Sequence, residues 1–203
     1  MANLARSLNS SSVAETLATY ESWAESYNED IGKEEYTAPE IASDYVSKHV
    51  GPQKITSATI LDAGCGTGLV GQHLAKRGVA HLDGIDLSPG MLQVARQTGV
   101  YRSLNVADLS QTLEIPSQSY DVIVCVGTLT QGHVGPGAFD EFLRVVKPGG
   151  FIVATVRESV WQKNGYEEKV KALDKEGQVK VLGDKLEVIG IDVSAIFVIL
   201  QVQ

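Results

Sequence analysis

The chain has 203 residues, of which 43% are hydrophobic and 21% are charged, a composition that excludes a fibrous or disordered protein. Its formal net charge of −8 argues against nucleic acid or an anionic membrane surface as a partner. No apolar run reaches the roughly 18 residues of a membrane span, and residues 1–12 lack the apolar stretch of a secretory signal.

The chain opens with two predicted helices. The first, over residues 12–27, begins with Ser12 and Glu15 at the spacing of a capping box. The second covers residues 37–49, with Pro39 in its first turn and Gly51 directly after its end. These helices form a preamble to the part of the chain that follows.

From residue 55 onward, predicted strands alternate with predicted helices. The strands cover residues 58–61, 80–85, 103–106, 120–126 and 151–156, and the helices cover 69–77, 89–97 and 137–146. Strands separated by helices of about ten residues indicate right-handed βαβ units and a mostly parallel sheet.

The C-terminal segment predicts a different connection. After a helix over residues 166–176, two strands at 187–192 and 195–202 are separated by too few residues for a helical crossover, so they must be antiparallel. The predicted fold class is therefore α/β, a doubly wound, mostly parallel, seven-stranded sheet that ends in an antiparallel hairpin.

A glycine-rich loop follows the first of these strands. It contains Gly64, Gly66 and Gly68, with Asp62 two residues before the first glycine. Closely spaced glycines between a strand and a helix expose backbone N–H groups to a ligand at the carboxyl edge of the sheet, although a tight turn without a ligand has the same pattern. A dinucleotide site would need its third glycine at Leu69, and Asp62 would repel a pyrophosphate.

The acidic-x-Gly-x-Gly-x-Gly pattern resembles motif I of the class I S-adenosylmethionine-dependent methyltransferases. The resemblance extends over about residues 20–202 and includes the terminal hairpin; residues 20–27, 36–39 and 83–92 are most similar to the branch that includes the Williams–Beuren-region methyltransferase-like protein. It implies one methyltransferase domain over residues 1–203, with a helical lid over 1–54 and a Rossmann-like core over 55–203. It also implies S-adenosylmethionine as cofactor and S-adenosylhomocysteine as product.

The resemblance also assigns acids to parts of the cofactor. Asp62 and the glycine loop would hold the amino-acid end of the cofactor. Asp86 would accept hydrogen bonds from both ribose hydroxyls, and Asp108 would accept one from the adenine amino group. Asp83, which lies before the end of its strand, is expected to be solvated. Taken alone, Asp86 could be a helix cap and Asp108 a turn cap. The complete set of expected cofactor-binding residues is Asp62, Gly64, Cys65, Gly66, Gly68, Asp86, Leu87, Met91, Asp108, Leu109, Val126 and Gly127.

The acceptor side of the site is less specified. His133, after the fourth strand, is the candidate general base if the acceptor is a neutral hydroxyl or amine; the alternative is an exposed loop histidine. Tyr20, Trp23 and Tyr27 are expected to form the lid over the pocket, although aromatic residues on a helix are also common in a core.

The resemblance implies methyl transfer by in-line displacement to oxygen, nitrogen or sulfur of a small molecule. Two alternatives stay open: a protein methyltransferase, and a cofactor-binding module that does not transfer. The short span 157–165 after the fifth strand fits an acceptor of modest size or a pocket completed by a second subunit, so the chain is a monomer or a homodimer.

With only Cys65 and Cys125, neither a disulfide framework nor a metal site is expected, which suits a cytoplasmic location.

Overall fold

The computed structural model describes residues 12–131, 134–191 and 193–203. The N-terminal segment forms three helices within this part of the chain: α1 (Val13–Trp23), α2 (Tyr27–Gly32) and α3 (Ala38–Val50). Ser12 caps α1 by accepting a hydrogen bond from the Glu15 N–H at 3.2 Å, as the capping-box spacing predicts.

The single helix predicted for residues 12–27 is divided in the structure. A turn follows Trp23, and the Trp23 indole N–H donates across it to Asp30 Oδ2 at 2.8 Å. Because Trp23 is 1% exposed, this bond satisfies a buried donor that would otherwise lack a partner. The turn therefore separates α1 from α2, a helix that the sequence analysis did not predict.

The remaining elements follow the predicted alternation. They are β1 (Thr59–Ala63), α4 (Leu69–Lys76), β2 (His81–Asp86), α5 (Pro89–Gln97), β3 (Ser103–Val106), β4 (Tyr120–Leu129), α6 (Ala138–Val145), β5 (Val146–Arg157), α7 (Glu158–Trp161), α8 (Tyr166–Lys175), β6 (Val179–Gly190) and β7 (Val193–Val202). The short helix α7 lies in the span 157–165, for which the sequence analysis predicted no helix or strand.

Seven strands of the described chain form one sheet in the order β3-β2-β1-β4-β5-β7-β6. The first five strands in this order are parallel to one another, whereas β7 is antiparallel to both β5 and β6. This confirms the predicted doubly wound sheet with its terminal hairpin. The strand order reverses between β1 and β4, and ligands of such sheets bind beyond the carboxyl ends of the strands at that point.

Strand β6 is longer than predicted. It begins at Val179, which pairs with Val202, and the pairing continues to Gly190 opposite Val193. Gly183, Asp184 and Lys185 break the apolar alternation in its first half, so the sequence carries no strand pattern there. Because β6 is an edge strand, exposed charges in it are tolerated and discourage pairing with another chain.

Apolar residues fill both faces of the sheet. Leu61, Ile123 and Phe139 belong to the cluster on one face, and Ile60, Val122 and Leu74 to the cluster on the other. The alternation of Ile60 with Leu61 follows from the two-residue period of a strand. No helix in the described part of the chain is long and apolar enough to cross a membrane.

Candidate active site

The glycine loop lies between β1 and α4 at the point where the strand order reverses. Gly64 and Gly66 have φ angles of +78° and +52°, which favour glycine. A Cβ on Gly64 would collide with the Thr128 hydroxyl of β4, whereas a Cβ on Gly66 would meet no atom within 4 Å. Gly64 is therefore required for close packing of the loop on β4, and Gly66 presents bare backbone to open space.

Asp86 at the end of β2 is fixed by two backbone donors. Its Oδ2 accepts from the Gly66 N–H at 2.8 Å and its Oδ1 from the Ser88 N–H at 2.9 Å. Burial raises the pKa of this carboxyl above its ordinary value, although the backbone donors oppose the shift. The carboxylate is thus anchored to the loop and retains lone pairs for a further donor.

A cleft of about 830 Å³, measured to its open mouth, lies beside the loop and Asp86. The predicted residues that line it are Gly64, Gly66, Asp86, Leu87, Met91, Leu109, Val126, Gly127, Tyr20 and Tyr27. Met91, Leu109 and Val126 supply an apolar wall next to the polar edge formed by the loop.

Asp62 lies beneath the loop and is not among the residues that line the cleft. It is completely buried. Its Oδ2 accepts from the Tyr101 hydroxyl at 2.7 Å, and its Oδ1 has no partner among the described residues. Burial raises the pKa of Asp62 to about 7, with Tyr101 opposing the shift and Asp86 adding to it.

Tyr101 is a part of the site that the sequence analysis missed. Its hydroxyl and ring occupy the space that a side chain on Gly71 would take, and its ring is 3.1 Å from the Cβ positions of Gly68 and Gly84. Tyr101 therefore excludes a side chain at Gly71, packs against the other two glycines and also donates a hydrogen bond to Asp62. No local pattern marks Tyr101, because these partners lie 17 to 39 residues away in sequence.

Three other predicted positions do not line the cleft: two belong to the glycine loop, and the third lies between residues that line the cleft. Cys65 is 6% exposed, and burial raises the pKa of its thiol well above the ordinary value. Gly68 precedes α4 with a φ of +90°. Asp108 Oδ1 accepts from the Ser110 N–H at 2.8 Å, which is the turn cap that the sequence left open as its alternative role.

Two further expectations concern titratable residues. Asp83 is 8% exposed and ion-paired with Arg102, so the expectation of a solvated side chain is wrong; its position within a central strand of the sheet buries it. The proposed base, His133, lies outside the described residues. No group of three metal-ligating side chains occurs within the described ranges.

The lid residues form an aromatic cluster. The Trp23 and Tyr27 rings meet edge to face with centroids 4.7 Å apart, and Tyr20 stacks on Trp23 at 6.2 Å. Tyr20 and Tyr27 line the cleft described above, while all three line a neighbouring cavity. The structure therefore brings together the three aromatic side chains that the sequence analysis grouped as a lid.

A latch formed by Glu21 attaches this lid to α5. Glu21 Oε1 accepts from the Ser88 hydroxyl at 2.7 Å and from the Gly90 N–H at 2.8 Å, at the N-terminus of α5. A carboxylate is favoured at a helix N-terminus. A second bond, from the Thr67 hydroxyl to Asn28 Oδ1, joins α2 to the glycine loop. Sequence reasoning identified neither contact.

The second cavity has a volume of about 750 Å³ and adjoins the first. Tyr20, Tyr27, Gly127 and Thr130 line both. The second cavity is further lined by Trp23, Ile31, Glu34, Tyr36, Thr155, Arg157, Ile189, Gly190, Val193 and Ala195. The two cavities thus meet at the carboxyl end of β4, beneath the aromatic lid.

Comparison with known proteins identifies relatives for much of the chain. Residues 60–150 match the family model described as "Methyltransferase domain". Methyltransferase-like protein 27 of Homo sapiens is 40% identical over 146 residues, which are 71% of this chain and 59% of that protein. The ubiquinone biosynthesis O-methyltransferase of Xylella fastidiosa strain 9a5c is 31% identical over 122 residues, covering 58% of this chain and 48% of that enzyme. The chain thus spans about half to three fifths of these curated relatives.

Solved structures share the fold at low sequence identity. The magnesium protoporphyrin IX methyltransferase of Synechocystis PCC 6803, crystallised with S-adenosylmethionine, superposes with a TM-score of 0.64 at 15% identity, covering all of this chain and 90% of that one. A methyltransferase in complex with the Haloferax volcanii Trm112 activator gives a TM-score of 0.66 at 16% identity, covering 90% and 95%.

Proposed function

Because the chain belongs to the class I S-adenosylmethionine-dependent methyltransferase family, we propose that it transfers a methyl group from this cofactor to oxygen, nitrogen or sulfur of a small molecule. The observation that carries the proposal is the pair of cavities that meet at Gly127 and Thr130. One cavity has the glycine loop and Asp86 on its wall, and the other offers room for an acceptor beside it.

The residues of the first cavity fit S-adenosylmethionine. The anchored Asp86 carboxylate suits the ribose hydroxyls, and the bare backbone at Gly66 allows a ligand to approach closely. Met91 and Leu109 would cover the adenine, with Asp108 at its edge. The unpartnered Oδ1 of buried Asp62 supports a role in compensating the ammonium group from below the loop. When bound, the cofactor supplies an electrophilic methyl group on a positively charged sulfur.

In this proposal the protein contributes orientation and exclusion of water. The aromatic cluster of Tyr20, Trp23 and Tyr27 covers the junction of the two cavities, and a water-poor junction favours neutralisation of a sulfonium charge. His133 is proposed as the base for acceptors that must lose a proton. His133→Ala should then reduce turnover without changing cofactor affinity, and normal turnover across the pH range would exclude that role.

Three observations support a small acceptor in a cytoplasmic setting. The second cavity is covered by aromatic side chains, and the similarity to a ubiquinone biosynthesis O-methyltransferase points to small molecules. Cys65 and Cys125 are both free and buried, which suits a reducing compartment. Incubation of the protein with methyl-labelled S-adenosylmethionine and a cell extract tests the acceptor class. Label in the small-molecule fraction supports the proposal, and label only on protein contradicts it.

The cofactor site is tested separately with Asp86→Ala. Loss of hydrogen bonds to a charged group costs about 1.5–3 kcal/mol, so affinity for S-adenosylhomocysteine in calorimetry should fall roughly 10- to 100-fold. Asp184→Ala, an exposed aspartate on the edge strand, is the matched control and should bind normally. Thermal melting verifies that both variants fold, and unchanged affinity of the folded Asp86 variant would refute the ribose assignment.

A further inference from the structure

Arg157 differs from the other arginines in the described part of the chain. Arg77 bonds to Asp44, Arg102 to Asp83 and Arg144 to Glu141, while Arg96 donates to the Leu104 carbonyl. The Arg157 guanidinium forms no hydrogen bond or ion pair with any described residue, although the side chain is only partly exposed. A guanidinium without a partner has five N–H donors available to a ligand.

The position of Arg157 connects it to the proposed acceptor site. It is the last residue of β5, paired with Ala195 of β7, and it lines the second cavity. It is the one cation among the described residues that line either cavity. Since the chain carries a formal charge of −8, its overall field disfavours anions, and binding of an anion here would depend on a local cation.

We propose that the second cavity recognises a methyl acceptor that carries a carboxylate, bound by Arg157, on an apolar or aromatic body. This inference rests on the proposed function for the identity of the ligand as an acceptor. The planar guanidinium matches a carboxylate in a bidentate arrangement. Trp23, Tyr36 and Ile189 line the same cavity and provide the contact surface for the body of the ligand.

The charges around the cavity favour a monoanion over a phosphate dianion. Glu34 is the one acid among the described residues that line the second cavity, and no ion pair of the described structure joins it to Arg157. Its carbonyl accepts from the Ile191 N–H at 3.1 Å, which fixes this segment against the β6–β7 turn. A single guanidinium compensates one negative charge, and a second charge on the ligand would lie uncompensated in a cavity that already contains an acid.

The test uses matched probes whose only difference is the charge. Naphthoate and naphthamide are titrated into the protein saturated with S-adenosylhomocysteine, and binding is followed by NMR. Because a charge-assisted bond contributes about 1.5–3 kcal/mol, naphthoate should bind about tenfold or more tightly than naphthamide. Arg157→Gln should abolish this preference and leave cofactor affinity unchanged. Arg96→Gln, an exposed arginine outside both cavities, removes the same charge and should retain the preference.

Each other outcome overturns the inference. Equal affinity for the two probes, or no binding of naphthoate, would show that the cavity does not select carboxylates. A preference that persists in Arg157→Gln would assign it to another residue, and a loss of S-adenosylhomocysteine affinity in this variant would assign Arg157 to the cofactor. Tighter binding of naphthyl phosphate than of naphthoate would favour a phosphorylated acceptor.

The binding experiment separates this inference from the proposed function. An Arg157-dependent preference for naphthoate, combined with absence of methyl transfer from labelled cofactor, would leave the carboxylate site standing and refute the transferase. Transfer to an uncharged small molecule, without a preference for naphthoate, would do the reverse.

Discussion

Tyr101→Phe removes one hydroxyl group from beneath the glycine loop. That hydroxyl donates to Asp62 Oδ2 at 2.7 Å, and the other carboxylate oxygen has no partner among the described residues. The ring of the phenylalanine would still fill the space next to Gly68 and Gly84. The substitution therefore isolates the hydrogen bond from the packing of the ring, and it leaves a completely buried carboxyl group without a donor.

The cost of this change depends on the charge of Asp62. A hydrogen bond to a charged group contributes about 1.5–3 kcal/mol, and one between neutral groups about 0.5–1.5 kcal/mol. We expect Tyr101→Phe to lower the free energy of unfolding by about 2 kcal/mol when Asp62 is ionised and by about 1 kcal/mol when it is protonated. For a chain of this length, 2 kcal/mol corresponds to a decrease in Tm of roughly 4–8 °C.

The sign of the pH dependence follows from the raised pKa. Burial raises the pKa of Asp62 in the folded state to about 7, whereas an unfolded aspartate titrates near 3.9. At pH values between these two pKa values, Asp62 keeps its proton in the folded state and releases it in the unfolded state. The contribution of Asp62 to stability is therefore present at low pH and is lost as the pH rises to about 7. Tyr101→Phe removes the donor that opposes this shift, which raises the pKa further and extends the loss to higher pH.

Urea denaturation at about pH 5 and about pH 8 measures this difference. Tyr120→Phe is the matched control, because its hydroxyl donates at 3.0 Å to Asp83, which also accepts from Arg102 and Ser103. Although burial opposes it, these donors hold the pKa of Asp83 below its usual range, so Asp83 is ionised at both pH values and the control should lose the same free energy of unfolding, about 1.5–3 kcal/mol, at each. An equal loss at both pH values for Tyr101→Phe would refute the reasoning.

Two further substitutions test the lid and the loop. Glu21→Ala removes the exposed contact between α1 and α5, and the free energy of unfolding should change by less than about 1 kcal/mol. In stopped-flow measurements S-adenosylhomocysteine should dissociate faster from this variant, and an unchanged dissociation rate would exclude a latch at Glu21. Gly66→Ala places a methyl group at φ +52° in open space beside the cleft. Gly99→Ala is the control, because it also places a methyl group at a positive φ, +69°, with no atom nearby, and both substitutions should destabilise the backbone by about 1–2 kcal/mol. Calorimetry should show weaker cofactor binding for Gly66→Ala alone, and equal binding by both variants would contradict close approach at Gly66.

The proximity of the glycine loop and Asp86 could be predicted from the sequence because its signals are local. Gly64, Gly66 and Asp86 lie where strands end, and their spacing alone predicts exposed backbone next to an acid. Parallel strand pairing of β1 with β2 then brings the loop and Asp86 within hydrogen-bond distance. The alternation of strands and helices predicts a mostly parallel sheet with right-handed crossovers, so the edge of the sheet on which the loop and Asp86 lie could be predicted without coordinates.

The remaining features depend on contacts between distant residues. Tyr101 follows α5 in an irregular segment, and nothing in its neighbourhood indicates that it supports the loop. Arg157 stands at the start of the span that the sequence identified as the acceptor region, but an arginine at a strand end is equally compatible with a surface ion pair. Only the absence of a partner within the described structure distinguishes Arg157 from the other arginines.

The lid is attached differently at its two ends, and this difference bears on ligand entry. On the side of the first cavity, the exposed carboxylate of Glu21 makes the contact with α5, and such a bond in water is readily exchanged for hydration. On the side of the second cavity, backbone bonds from Thr37 to Ile189 and from Ile191 to Glu34 join the chain after α2 to the β6–β7 hairpin. Opening at α5 therefore requires only the loss of bonds made by side chains of the helical segment, whereas the backbone bonds at its other end hold the chain after α2 against the β6–β7 hairpin.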